Sequence, residues 1–174
     1  EEKMESLEGI DTVRTCEPGC CICISTADCV PVLLFDTQHR AVAAVHAGWR
    51  GTVDYIVGHA LERMYAVYGT EGKDVIACIG PSISLEAFEV GDEVVEAFRR
   101  NGFDLSRISR RNTETRKQHI DLWEANRLQL LDFGVPSSQI EIAGICTYRQ
   151  QEEFFSARRL GIASGRILSG IMIQ

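Results

Sequence analysis

Two short segments concentrate the residues able to do chemistry. Thr26-Ala27-Asp28-Cys29 stands immediately before the apolar run Val30 to Phe35. His46-Ala47-Gly48-Trp49-Arg50-Gly51-Thr52 closes the next apolar run, which begins at Ala41. If both runs are strands joined by the turn Asp36 to Arg40, antiparallel pairing lays the start of the first beside the end of the second. The Cys29 thiol and the His46 imidazole then converge. Thiolate and imidazole nitrogen are natural zinc donors, and they are equally a nucleophile and its base. Asp28 is expected to orient a ligand or to accept a proton. Arg50, flanked by Gly48 and Gly51, is expected to offer a planar fork to phosphate. The plainer alternative is that Cys29 is a small core hydrophobe and His46 a core histidine sharing its strand face with Val42 and Ala44.

Other residues carry open alternatives. Cys16, Cys20, Cys21 and Cys23 form either a second metal site or, as alternation with Ile22 and Ile24 favours, part of a packed strand. Arg158 and Arg159 are either a solvated pair or an anion clamp. His59 falls on the polar side of its helix. Asn126 falls on an apolar helix face, where its amide needs buried partners.

The elements that must position these groups follow from periodicity. Strands are predicted over 20–25, 30–35, 41–46, 75–79, 140–146 and 167–173. The continuous apolar character of Val30 to Phe35 implies cover on both faces. Helices are predicted over 54–68, 91–100 and 121–133, the first with Ile56, Val57, Ala60, Leu61, Met64, Val67 and Tyr68 on its buried side. Residues up to Arg14, and the segments 101–117 and 148–166, read as polar loops. Strands and helices intermix, so the class is α+β, with mixed β-sheets packed together and covered by helices.

Composition narrows the function classes. The chain has 174 residues, enough for one domain with a sizeable core, and 45% of them are hydrophobic. The net charge of −7 argues against nucleic acid as partner, because phosphate backbones demand clustered Lys and Arg. No apolar run reaches the roughly 18 residues of a membrane span. Seven cysteines, an odd number without framework spacing, point to a reducing compartment, the cytoplasm. Neither an initiator Met nor a signal-peptide pattern opens the chain, which suggests a processed product or a fragment.

At these residues the chain resembles the YfiH-type, laccase-domain family of purine nucleoside phosphorylases, once labelled polyphenol oxidases. The matching blocks are TADCVPVLLFD, AAVHAGWRGT, IGPSISLEAFEVGDEV, HIDLWEANRLQL and CTYRQQEEFFSARRLGIASGR. They run in family order from about Asp11 to Arg166. The resemblance implies one laccase-like domain over 1–174, lacking an N-terminal segment. It implies a zinc site, with copper as an alternative, formed by Cys29, His46 and a further His that lies upstream of this chain. His39, His59 and His119 do not match that position. It also implies a site built from Asp28, Cys29, His46 and Arg50, with Arg50, Cys146, Ser156 and Arg159 against the substrate. The expected partners are purine nucleosides and phosphate, with the oligomeric state open. The implied chemistry is phosphorolysis of adenosine, inosine and methylthioadenosine, with adenosine deamination. Ala157 and Ser84 depart from the family pattern.

Three other functions stand beside this one. Copper-dependent phenol oxidation is the first, although four histidines are too few for a blue site plus a trinuclear cluster. A metal-free cysteine hydrolase with Cys29 as nucleophile is the second. A partner-binding domain whose metal site has decayed is the third.

Overall fold

The computed structural model describes residues 10–174, so the reading of the first nine as polar chain lies outside the described residues. The architecture is mixed α and β, in three layers. A five-stranded sheet runs β1 (Thr12–Thr15), β4 (Ala41–Ala47), β3 (Val30–Asp36), β5 (Val75–Ile79) and β9 (Ile140–Ile142). All neighbours in it are antiparallel except β5 and β9.

Each face of this sheet is covered by something different. Val32, Leu34, Ala43 and Val45 point into the main core, together with Val57, Leu61 and Met64 of α2 (Ile56–Tyr68) and Leu122, Ala125 and Leu130 of α5 (Leu122–Asp132). Val42 and Ala44 point the other way, onto Ile22, Ile24 and Ile173. Those last residues belong to, or adjoin, a two-stranded sheet of β2 (Cys21–Thr26) and β10 (Ile167–Met172). Cover on both faces explains the unbroken apolar run of β3, because each parity of residue has a hydrophobic partner layer. A small three-stranded sheet completes the fold, with β8 (Gln118–Ile120) between β6 (Glu89–Val90) and β7 (Ser109–Arg111).

Several expectations need correction. The segment before Arg14 contains edge strand β1, which gains ladder hydrogen bonds from β4 despite its polar residues. The helix predicted from Asp54 is two helices, α1 (Trp49–Val53) and α2, broken at Tyr55, whose φ of 56° is left-handed. Val67, expected inside, is exposed. The strand predicted to reach Cys146 stops at Ile142, and Cys146 makes only an isolated bridge to Ser82. The polar stretch 101–117 holds α4 (Leu105–Ile108) and β7, following α3 (Asp92–Arg100). The stretch 148–166 holds α6 (Ala157–Leu160). In each of these polar segments a few buried residues, such as Ile108 and Ser156, tie the backbone down where composition alone reads as loop.

No helix among the described residues is long and apolar enough to cross a membrane.

Candidate active site

The β3–β4 register decides the geometry of the site. Pro31 pairs with His46 and Val30 with Ala47, so Cys29 lies one diagonal step from His46 on the same face of the sheet. Gly48 is what lets the thiol in. A Cβ on Gly48 would stand 3.2 Å from Cys29 Sγ and 4.0 Å from His46 Nε2. Neither residue is a core residue: Cys29 is half-buried, and the His46 side chain keeps 32% of its surface exposed.

The other imidazole nitrogen has a partner that sequence reasoning missed. His46 Nδ1 lies 2.8 Å from Asp11 Oδ1, and the His46 backbone N–H donates to the Asp11 carbonyl at 2.7 Å. Asp11 precedes β1, and the β1–β4 pairing carries it to the end of β4. An unrecognised strand at the chain's start hid this contact, since polar Thr12-Val13-Arg14-Thr15 gives no alternation. The Cys29 thiol pulls the His46 pKa up to about 9, with Asp11 adding to the shift and burial opposing it. A carboxylate on one ring nitrogen fixes the tautomer and ring plane and turns Nε2 towards Cys29.

Asp28 is held by donors from a distant segment. It is buried at 8% exposure, with a left-handed φ of 79°. Its carboxylate accepts from Thr147 Oγ1 at 2.7 Å, Ser156 Oγ at 2.9 Å and the Arg158 N–H at 2.6 Å. Three donors engage its two oxygens, so its interactions run to the 147–158 segment. Ser156, itself buried, also caps α6 by accepting the Arg159 N–H.

The remaining expected site residues have contacts of their own. Arg50 is exposed in the first turn of α1, with its guanidinium 4.4 Å over the Trp49 ring. Arg159 spends Nε and Nη2 on the Tyr148 carbonyl and lies 4.3 Å over the Tyr148 ring. Arg158 donates to the Glu89 carbonyl and lies over Phe88. The two arginines are therefore pinned to backbone, which the solvated-pair reading did not foresee. Cys146 is buried, and its sulfur accepts the Ser84 N–H at 3.4 Å. Burial pushes that thiol up, but hydrogen bonds from Ser84, Arg149 and Tyr148 outweigh it and hold the pKa below the ordinary value.

Two buried amides position α1. Asn126 donates to Thr52 Oγ1 and to the Leu122 carbonyl, the partners its apolar face demanded. Gln129 accepts from the N–H groups of Val57 and Gly58 and donates to the Thr52 carbonyl. It thus bridges the break between α1 and α2, capping a helix start that has no side-chain cap of its own.

The donors fit part of a zinc site. Cys29 and His46 supply thiolate and imidazole, and Asp11 supplies the carboxylate that commonly backs a ligating histidine. Among the described residues, however, no group of three or more His, Cys, Asp or Glu could hold a metal ion.

The family model described as multi-copper polyphenol oxidoreductase laccase matches residues 1–174. A purine nucleoside phosphorylase of Bacteroides thetaiotaomicron is 67% identical over all of this chain, which covers 64% of that relative. An adenosine deaminase, RL5, from an unknown prokaryotic organism is 47% identical over 98% of this chain and 65% of its own length. The crystal structure of YlmD from Geobacillus stearothermophilus superposes with a TM-score of 0.88 at 36% identity, covering 95% of this chain and 62% of that one. The chain thus spans just under two thirds of the length of these relatives.

Proposed function

The chain belongs to the multi-copper polyphenol oxidoreductase laccase family, and on that premise we propose that it is a purine nucleoside enzyme. The reaction is phosphorolysis of adenosine, inosine and methylthioadenosine to the free base and the (methylthio)ribose 1-phosphate, with adenosine deamination beside it. The observation that carries the reading is the convergence of Cys29 and His46 at a strand end, with Asp11 behind the imidazole.

In phosphorolysis a phosphate oxygen bonds to the anomeric carbon as the C–N bond breaks, and the purine leaves with the electron pair. Arg50 holds the phosphate and offsets its charge, since its exposed guanidinium is braced on Trp49 rather than spent on a backbone carbonyl. Arg159 offers what remains of its fork as a second anion contact. Cys29 and His46 would hold zinc, which when bound acts as a Lewis acid and makes water a better nucleophile. Asp11 keeps His46 in one tautomer, and Gly48 keeps the floor of the site clear of a side chain.

Incubating metal-replete protein with inosine and phosphate tests this. Hypoxanthine and ribose 1-phosphate should appear in equal amounts, and adenosine without phosphate should yield inosine. Absence of both products overturns the proposal.

A second reading rests on the same three residues. Asp11, His46 and Cys29 have the order of orienter, base and nucleophile, which suits a metal-free cysteine hydrolase. Stoichiometric alkylation of Cys29 that abolishes activity in protein free of metal supports it. Activity that is lost on chelation and restored by zinc in unalkylated protein excludes it.

A further inference from the structure

The outward face of the two-stranded sheet carries a cluster of sulfur atoms far along β2 from the Cys29–His46 site. On β2, Ile22 and Ile24 point into the core while Cys21 and Cys23 are exposed. The two thiols are neighbours, with Sγ atoms 3.6 Å apart. Directly opposite Cys21 on β10 stands Met172, and directly opposite Cys23 stands Gly170. Facing residues of an antiparallel pair project from the same side, with Cβ atoms about 4.5–5.5 Å apart. Met172 is 44% exposed and projects from the outward face, across the ladder from Cys21.

Gly170 makes room for this arrangement. A Cβ there would sit 2.7 Å from Cys23 Sγ and 3.3 Å from Cys21 Sγ. Any other residue at that position would displace the thiols. Glycine at this position lets the two thiols lie over the neighbouring strand.

From this juxtaposition we infer that Cys21, Cys23 and Met172 form a binding site for a soft monovalent cation, Cu(I). The donor set is two thiolates and one thioether, the combination that selects Cu(I) over harder ions. The spacing fits. With metal–sulfur bonds of about 2.3 Å, sulfurs 3.6 Å apart subtend an angle of about 103° at the metal. Opening to a trigonal three-sulfur geometry parts them by only about 0.4 Å, within the reach of a χ1 adjustment on an exposed strand. Binding replaces two S–H bonds by two Cu–S bonds and releases two protons, with no change in oxidation state.

The site is independent of the nucleoside chemistry, and its test is arranged to be so. Anaerobic titration of the reduced protein with Cu(I) buffered by a chromogenic chelator counts tight equivalents. Cys21→Ser/Cys23→Ser should lose one equivalent relative to the parent while Cys29 and His46 stay intact. Cys16→Ser/Cys20→Ser, two exposed thiols before β2, should lose none. Met172→Leu should keep both thiols yet weaken that equivalent by at least about tenfold. Circular dichroism checks that each variant remains folded, as expected for exposed positions. The same stoichiometry and affinity in the Cys21/Cys23 double variant, or no weakening in Met172→Leu, overturns the inference.

Discussion

Replacing Asp28 with asparagine separates two roles for this residue, proton carrier and structural tie. In the structure its carboxylate accepts three hydrogen bonds of 2.6–2.9 Å from Thr147, Ser156 and Arg158, all on the far side of the fold in sequence. A hydrogen bond to a charged group contributes about 1.5–3 kcal/mol net. Asparagine keeps one acceptor oxygen and tolerates the left-handed backbone, but it turns an N–H donor towards donors. Losing the charge and one to two of the bonds should cost about 2–3 kcal/mol after relaxation. For a domain of this size each kcal/mol lowers Tm by about 2–4 °C, so the expected drop is about 4–12 °C. Asp28→Ala should be worse, because it loses all three bonds and adds strain at positive φ. The assay is thermal unfolding beside kcat/KM for inosine, with activity falling as the 147–158 segment loosens. An asparagine variant that melts within about 1 °C of the parent yet has lost its activity would refute this reasoning and restore the proton carrier.

Three further predictions follow from other contacts. Gln129→Leu removes three hydrogen bonds at the α1–α2 junction, two of them buried, and should cost about 2–4 kcal/mol in urea unfolding; a change below about 0.5 kcal/mol refutes its capping role. Gly48→Ala is compatible with the backbone there, φ −66° and ψ 167°, so the entropy gained offsets the poorer N-cap and stability should change by less than about 1 kcal/mol. Its new methyl presses on Cys29 Sγ, so zinc affinity measured by chelator competition should fall at least about tenfold; unchanged affinity refutes the close approach. Asp36 is the third case. Burial opposes its charge, but Thr70, the His39 N–H and ring, and the Gln38 N–H hold its pKa below the ordinary carboxylate value. A folded pKa below the unfolded one, about 3.9, gives stability that is present above that pH and lost as pH falls through the folded value. Asp36→Asn should therefore flatten the acid limb of urea midpoint against pH below about pH 4, and an unaltered limb counts against it.

The strands were legible wherever a local period met a covered face. Alternating Cys21 to Ser25, the unbroken run from Val30, and the turn at Asp36 were sufficient to pair β3 with β4 and bring Cys29 to His46. Asn126 announced its need for partners in the same way, as a polar residue on an apolar stripe. The polar strands β1 and β7 were not legible, because their pairing depends on a neighbour's free edge rather than on their own composition.

What the sequence by itself pointed to is the antiparallel pairing of one hairpin and the thiol and imidazole at its open end, since two adjacent apolar runs joined by a short turn leave little freedom. Which face of an alternating strand is covered was decided only by the tertiary structure. The pattern Cys-Ile-Cys-Ile allows either parity inside, and packing against Val42 and Ala44 chose the isoleucines and left the thiols outside. Partners distant in sequence were decided there too: Asp11 behind His46, Gln129 across the helix break, and Asp28 facing Thr147 and Ser156. A side chain's chemistry is written in its own residue, but its hydrogen-bond partner is set by whichever distant backbone the core brings within 3 Å.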